Sequence, residues 1–577
     1  MKLIFKYIFK YKKIIFIYIL SVFFVACGEI IIPYEIGKLL FEKQHINNFS
    51  QIIFLFIILV FLAICGNVII NFCTAKLSSL VFTDLSTDIF KKIQTFSIID
   101  MQNAGISNLM NQTTFNVYQI LNFMTTFYRA ILFSPIMLII SLGFMYWISS
   151  LLSCFMLLLI PFFILILFFL MRKNYLLSLQ QHQQIEEINN KIRENVTGVK
   201  VIRSLNQIPF EVSKFDKINS NYKNLIIKLF LSVLFIDPFF YLLLNLSIIF
   251  TIGLGSYMMK TGTFAPNLRL SDLYNFINLQ YHVLFSILNF LLLFTMFPKT
   301  LVSMNKIENL LFKQSSVQNP PIALIQPLNK ICTIVFKNVF FSYSPQSEMI
   351  LQNINLEVNR AEVIAFVGAT GSGKTTLINL IPRLMDPTEG IIEINGIDIK
   401  KYNLFDLRKK ISFVSQKNIL FKGTIFSNLL FGNENATEQQ IWEKAMIAQS
   451  YDFIQQKNQK LREPVEELGA NFSGGQKQRL SITRAFLKEP DVYIFDDSFS
   501  ALDYKTDSTL RKVFFENKKD AIVFIVAQRL TSILNADQII VLDHGKIVSK
   551  GKHHELYQTC NVYRKIVVSQ KIQENQI

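Results

Sequence analysis

The run VIAFVGATGSGKTTLINL (363–380) sets a five-residue apolar strand, Val363–Val367, directly before a glycine-rich turn and the start of a helix. In that order the parts form a phosphate cradle. Gly368, Gly371 and Gly373 let the backbone N–H groups around Thr370, Ser372 and Thr376 wrap an anion at a helix N-terminus. Lys374 neutralises the outer phosphates, and the Thr375 hydroxyl is offered to Mg²⁺. A second apolar strand, 491–495, ends in Asp496 about 120 residues further on, where a magnesium site needs a buried carboxylate. ATP and Mg²⁺ are therefore the expected ligands.

Outward from this turn, short β-branched runs alternate with helical stretches from about Cys332 onward, the pattern of an α/β domain with a largely parallel sheet. Upstream, the stretch 314–327 carries three prolines and reads as a linker. Before it the character of the chain changes. The whole sequence is 51% hydrophobic and only 17% charged, which calls for membrane segments. Six runs can cross a bilayer, near 13–34, 51–73, 129–149, 151–171, 229–258 and 273–300, with a tight turn at Ser149 and Ser150. The expected architecture is thus an all-α domain of six transmembrane spans (1–312), a linker (313–330) and an α/β P-loop nucleotide-binding domain (331–577).

A net charge of +17 could signal nucleic acid, but the basic residues flank apolar runs and do not cluster with aromatics, so no nucleic-acid partner is expected. Two gaps of about 55 residues, after the second and fourth spans, hold most of the loop lysines and arginines, among them Lys91, Lys92, Arg172 and Arg203. By the positive-inside rule both gaps face the cytoplasm, as do the N-terminus and the nucleotide-binding domain. The expected location is the cell membrane. The N-terminal run with Lys2, Lys6, Lys10 and Lys13 on one helical face reads as a retained helix on the membrane surface, opposite Phe5, Ile8 and Phe9. The six cysteines form no disulfide framework or metal spacing.

Between the cradle and Asp496 lies NFSGGQKQR (471–479). Phe472 to Gln476 is similar to the LSGGQ signature of ATP-binding cassette (ABC) proteins, with Phe in place of the leading Leu, and the chain resembles an ABC half-transporter of the exporter type over nearly its whole length. That resemblance implies roles for further residues. Tyr343 would stack on adenine, Gln416 would touch Mg²⁺ and the membrane domain, and 500–503 (SALD) would be the D-loop. Ser473, Gly474, Gly475 and Gln476 would face the γ-phosphate of an ATP held by a second subunit. It also implies short coupling helices near 98–107 and 206–215 that dock on nucleotide-binding domains.

Two positions depart from the family. Asp497 stands where a catalytic glutamate is usual, with its carboxylate ~1.5 Å further back. Gln528 replaces the switch histidine and can carry neither a proton nor a charge at neutral pH. Together they resemble the degenerate-site subunit of a heterodimeric exporter, which hydrolyses ATP slowly itself and completes a competent site on a partner bearing Glu and His. The rival readings are an ATP-gated channel or regulatory ABC subunit, and a homodimeric exporter using Asp497 as a slow base. Importers are disfavoured because membrane and ATP-binding parts are fused here. With no protease-like segment ahead of the first span, a self-processing peptide exporter is not expected either. The expected substrate is a small amphiphile, a drug, lipid or peptide, taken from or through membrane lipid. Asn67 and Asn71 on the second span, and Asn275, Asn278, His282 and Asn289 on the sixth, either line its path or bond helix to helix. Asp237 before Pro238 is expected to cap a helix, and Glu29 to lie near the outer headgroups.

Overall fold

The computed structural model describes residues 7–41, 49–261, 268–321, 326–500, 502–517, 520–527, 529–530 and 533–574. They form two compact units, Met1–Gln94 with Gly105–Lys313, and Thr95–Ala104 with Gln314–Ile577.

The first unit is helical in its apolar runs because a chain in hydrocarbon must satisfy every backbone group within itself, and the helices continue into the polar stretches between them. Its long helices are Lys12–Phe41, Phe49–Gln94, Ser134–Ile148, Ser150–Thr197, Ile208–Leu234, Ile236–Thr261 and Leu270–Phe312. Each of the six expected spans lies in them, the third entering through a π-helical turn at Arg129–Phe133. By length and composition alone, among the described residues, Phe9–Phe41, Ile53–Gln94 and Ile208–Thr261 are long and apolar enough to cross a membrane, while Ser134–Ile148 and Ser150–Leu165 are shorter apolar helices. The 46-residue helix Phe49–Gln94 is about 69 Å long, more than twice a bilayer core of about 30 Å. The turn between the third and fourth spans is tighter than expected, since Ser149 alone leaves helical geometry (φ −156°, ψ 112°) while its carbonyl accepts from the Ser153 backbone and hydroxyl.

Side chains sort by environment as a bilayer requires. Ala26, Met137, Met156, Phe163, Phe240 and Phe276 fill the interior, and Phe155 stacks on Phe250 with ring centroids 3.8 Å apart. Phe54, Phe61, Leu158 and Phe168 point outward. The fifth span breaks at Phe235, so Asp237 sits inside the first turn of Ile236–Thr261 and is not its cap. Lys2, Phe5 and Lys6 lie outside the described residues; Lys10 reaches Asp84 at 2.6 Å and Ile8 is buried, so this end is tied to the second helix.

Among the described residues the second unit contains twelve strands: β1 Thr333–Phe341, β2 Leu351–Asn359, β3 Val363–Val367, β4 Glu389–Ile394, β5 Ile397–Asp398, β6 Ile411–Val414, β7 Gly423–Thr424, β8 Pro464–Val465, β9 Val492–Asp496, β10 Ile522–Val526, β11 Gln538–Asp543 and β12 Lys546–Gly551. Six of them form the main sheet in the order β12-β11-β3-β10-β9-β6, parallel except for β12. The central strands are apolar up to the Asp496 that ends β9, because both faces are covered. A separate antiparallel sheet, β2-β1-β4-β5, was not anticipated from the sequence: β2 does alternate, with Ile354, Leu356 and Val358 buried, but β4 reaches β1 from beyond β3 and a helix. A third cluster, built on Leu420, Ile425, Ile441, Phe453, Phe472 and Leu480, forms a small helical core.

Candidate functional site

The strand β3 occupies the middle of the main sheet, and its carboxyl end opens into the glycine-rich turn. Open parallel sheets present ligand sites at that edge. Gly371 (φ 85°) and Gly373 (φ 96°) take left-handed backbone that a side chain would resist, and Gly373 caps the helix Lys374–Leu380. Gly368 is required for a different reason: a Cβ there would lie 2.1 Å from the Leu542 carbonyl oxygen. The loop curls around Lys374, whose Nζ donates to the Gly368 and Ala369 carbonyls at 2.8 Å each and to Ser372 Oγ at 3.3 Å.

Opposite this loop, β9 ends in Asp496, which is 3% exposed. The register Asp496↔Val526↔Phe366 places it level with the end of β3, one strand removed. Thr375 Oγ1 donates to Asp496 Oδ1 at 3.1 Å, which joins the two expected magnesium contacts. Burial raises the Asp496 carboxyl above its ordinary value, the Thr375 hydrogen bond opposes this, and Asp497 adds to it. Burial also lowers the Lys374 ammonium, against the pull of Asp496 and Asp497. A buried carboxylate beside a threonine hydroxyl, with a cation held by carbonyls it can exchange for phosphate, is a donor set suited to a magnesium nucleotide.

Asp497 follows with left-handed backbone (φ 46°), and its N–H donates to the Val526 carbonyl at 2.9 Å. That sharp turn fixes the direction of its side chain next to Asp496. Gln528 and Ala501 lie outside the described residues. Of the flanking D-loop, Ser500 Oγ donates to the Asp497 carbonyl at 3.0 Å and Asp503 accepts from the Thr506 N–H. Gln416 is exposed in the loop after β6 and makes no hydrogen bond among the described residues. Tyr343, beyond β1, stands edge-on to Phe341 with its hydroxyl 3.1 Å from Thr376 Oγ1, which brings its ring to the helix that follows the cradle.

The SGGQ stretch opens the helix Gly474–Leu487 through a capping box: Ser473 Oγ accepts from Gln476 N, and Gln476 Oε1 accepts from Ser473 N. Phe472, at the unusual leading position, is buried in the small helical core, where an aromatic fills the place of an aliphatic side chain. Among the described residues no hydrogen bond joins Ser473, Gly474, Gly475 or Gln476 to the cradle 368–376 of the same chain.

In the helical unit the polar residues divide between the two expected uses. Asn275 is 2% exposed and donates to the Tyr34 carbonyl, a helix-to-helix bond. Asn67, Asn71 and Asn289 instead line a cavity of about 800 Å³ with Arg129 and Glu29. Glu29, expected near the outer surface, faces that space and lies 4.0 Å from His282. The sequence reading missed Arg129, which looked like a span boundary. It also missed Asp100, whose Oδ2 accepts from the Ser97 and Ser316 backbone N–H groups and from the Ser97, Ser315 and Ser316 hydroxyls. An acid two residues into a short loop helix carries no local signal of such a partner set.

Comparison with known proteins gives a consistent picture. Residues 15–287 match the family "ABC transporter transmembrane region", and 351–500 match "ABC transporter". The ABC transporter ATP-binding protein YfiB of Bacillus subtilis, itself uncharacterized, is 30% identical over 500 residues, 87% of this chain and 86% of YfiB. A Staphylococcus aureus protein described as a candidate multidrug export ATP-binding/permease protein is 31% identical over 496 residues, 86% of this chain and 85% of that one. Among solved structures, a bacterial Atm1-family ABC exporter with ATP bound superposes with a TM-score of 0.83 at 20% identity, covering 97% of this chain and 98% of that one. The last likeness concerns fold.

Proposed function

Because this chain belongs to the ABC transporter family through both its membrane region and its ATP-binding domain, we propose that it is one half of a dimeric exporter of an amphiphile, and that its own ATP site is the slower of the pair. The relative described as a candidate for multidrug export, and the fusion of both parts in one chain, support the direction of transport. An integral membrane location follows from the membrane region itself.

Bound ATP and Mg²⁺ supply the phosphoanhydride and its charge-neutralising metal. Lys374 would exchange its carbonyl partners for phosphate oxygens, and Thr375 and Asp496 would hold the metal. The Tyr343 ring offers a stacking face. Asp497 is the residue next in line to orient water, but its carboxylate is one carbon short of a glutamate's; a displacement of this size at a reacting centre costs about 10²-fold in rate. Gln528 adds donors without charge. Ser473 and the Gly474 and Gly475 amides, at the start of a capped helix, are free to serve a nucleotide on another subunit.

The observation that carries the reading is the contrast between an intact SGGQ cap and Asp497 directly beside Asp496. A second supports a partner: Leu205, Ile208, Phe210 and Val212, at the tip of the second long loop, are large apolar residues left half exposed or more, ahead of the fifth expected span at 229–258. The test uses the complex as it purifies from cells. Ser473→Ala should remove most ATPase activity, while Asp497→Asn should leave more than half of it. Loss of turnover in Asp497→Asn would show this chain's own site to be the working one.

A further inference from the structure

The cavity of about 800 Å³ in the helical unit is in the range that receives a whole small ligand, and its charges are arranged unevenly. At one end Arg129 donates to Asn71 Oδ1 across to the second helix, and no carboxylate pairs with Arg129 among the described residues. The Tyr18 hydroxyl donates to the Tyr128 carbonyl at 3.0 Å, so this end lies level with Tyr18, only six residues into a helix that begins Lys12, Lys13. From Arg129 to the Ser149 turn the helix rises about 30 Å, a full hydrocarbon thickness. Arg129 therefore sits at the headgroup level of the lysine-rich, cytoplasmic side.

Among the described residues the only acid lining the cavity is Glu29, eleven residues further along the first helix than Tyr18, about 16 Å away, with His282 4.0 Å from it. Ile70, Phe133 and Phe285 supply apolar wall between the two. Arg129 also opens the π-helical turn Arg129–Phe133, a feature that recurs at functional sites. A guanidinium bonded to a neutral amide, on a space lined by Asn67, Thr74, Thr125 and Thr126 as well as by Ile70, Phe133 and Phe285, matches one ligand chemistry, a polar acidic head with an apolar body.

We propose that this cavity binds an amphiphile with an acidic head, a carboxylate or a phosphate, which takes Arg129 with Asn71 beside it while the apolar body lies toward Phe285. The assignment rests on the export reading for the ligand's fate, though not for its binding. Two sources share this chemistry: an anionic lipid entering from the inner leaflet, and a soluble acidic amphiphile.

The full chain, with any partner that co-purifies, is placed in nanodiscs of phosphatidylcholine. A dansyl-labelled fatty acid is titrated against its methyl ester, and tail-labelled phosphatidylglycerol against tail-labelled phosphatidylcholine. The acid should bind about tenfold or more tightly than the ester, as charge-assisted hydrogen bonds warrant. Arg129→Gln should abolish that preference and Asn71→Ala should weaken it, while Arg172→Gln, which removes an exposed charge outside the cavity, should leave it intact. Selectivity for the fatty acid alone assigns the soluble source; selectivity for phosphatidylglycerol as well assigns the bilayer. The proposal is overturned if Arg129→Gln keeps the preference, if Arg172→Gln loses it equally, or if Arg129→Gln only separates the chain from a partner. Because binding needs no ATP, acid selectivity without ATP-driven release would sink export alone, and release indifferent to head charge would sink this site alone.

Discussion

Gly368 shows how one residue can be fixed by what passes behind it. Its neighbour is the backbone carbonyl of Leu542 on β11, which cannot move without disturbing the pairing of β11 with β3. Gly368→Ala should therefore lower stability by about 1–3 kcal/mol, the cost of forcing atoms into a packed interior. Melting of the full chain, with and without ATP, checks this, and an unchanged transition in both conditions would contradict it. The motif around Lys374 was legible from sequence because strand, turn and helix are consecutive. The hydrogen bond from Thr375 to Asp496 was legible only as a role, since 121 residues separate the two. Neither the clash at Gly368 nor the left-handed turn at Asp497 could be read, because both depend on strands that arrive later in the chain.

At the scale of elements, the first long loop ends in the helix Ile98–Ala104, as the resemblance implied, and Gly105 (φ 74°) stops it. This segment belongs to the second unit: Ile99 packs on the core of the ATP-binding domain, and Asp100 gathers five donors, including both serines of the linker. Burial opposes the charge of Asp100, and the hydrogen bonds from Ser316 and Ser97 overcome it, so its carboxyl lies below the ordinary aspartate range. A depressed folded value means the stabilisation is complete above the unfolded value of about 3.9 and fades as pH falls through the lower folded one. Asp100→Ala should thus destabilise the protein at neutral pH by about 1–3 kcal/mol, and the gap to wild type should narrow in strong acid. Hydrogen exchange at 97–104 and 314–318 reports it directly; equal protection in both proteins would rule the clasp out. The second loop differs from expectation. Instead of a short helix at 206–215, the helix Val199–Ser204 ends, Asn206 turns with φ 52°, and Ile208 begins a 27-residue helix.

For the molecule as a whole, the exposed tip around Leu205 (64%) and Phe210 (54%) makes sense only when something covers it. If the tip docks on a second subunit's ATP-binding domain, Phe210→Ser should leave nucleotide binding by this chain intact and cut ATPase activity of the assembled complex about tenfold. That figure corresponds to losing roughly 1.5 kcal/mol or more of apolar burial. Activity equal to wild type would mean the tip faces only solvent. The same logic bears on the membrane helices, where outward phenylalanines face lipid and the polar residues turn inward.

Sequence alone determined the class of both units, since hydropathy over some twenty residues and a contiguous phosphate-binding turn are local properties that any fold must honour. It also carried the expectation of ATP and Mg²⁺ and of the residues that would hold them. Tertiary structure decided which of the membrane asparagines bond to a neighbouring helix and which face a cavity, that Arg129 lines that cavity, and that Asp100 anchors the linker. These outcomes depend on which distant segment comes to lie opposite a given side chain, and helical periodicity gives the face of a helix without naming its neighbour.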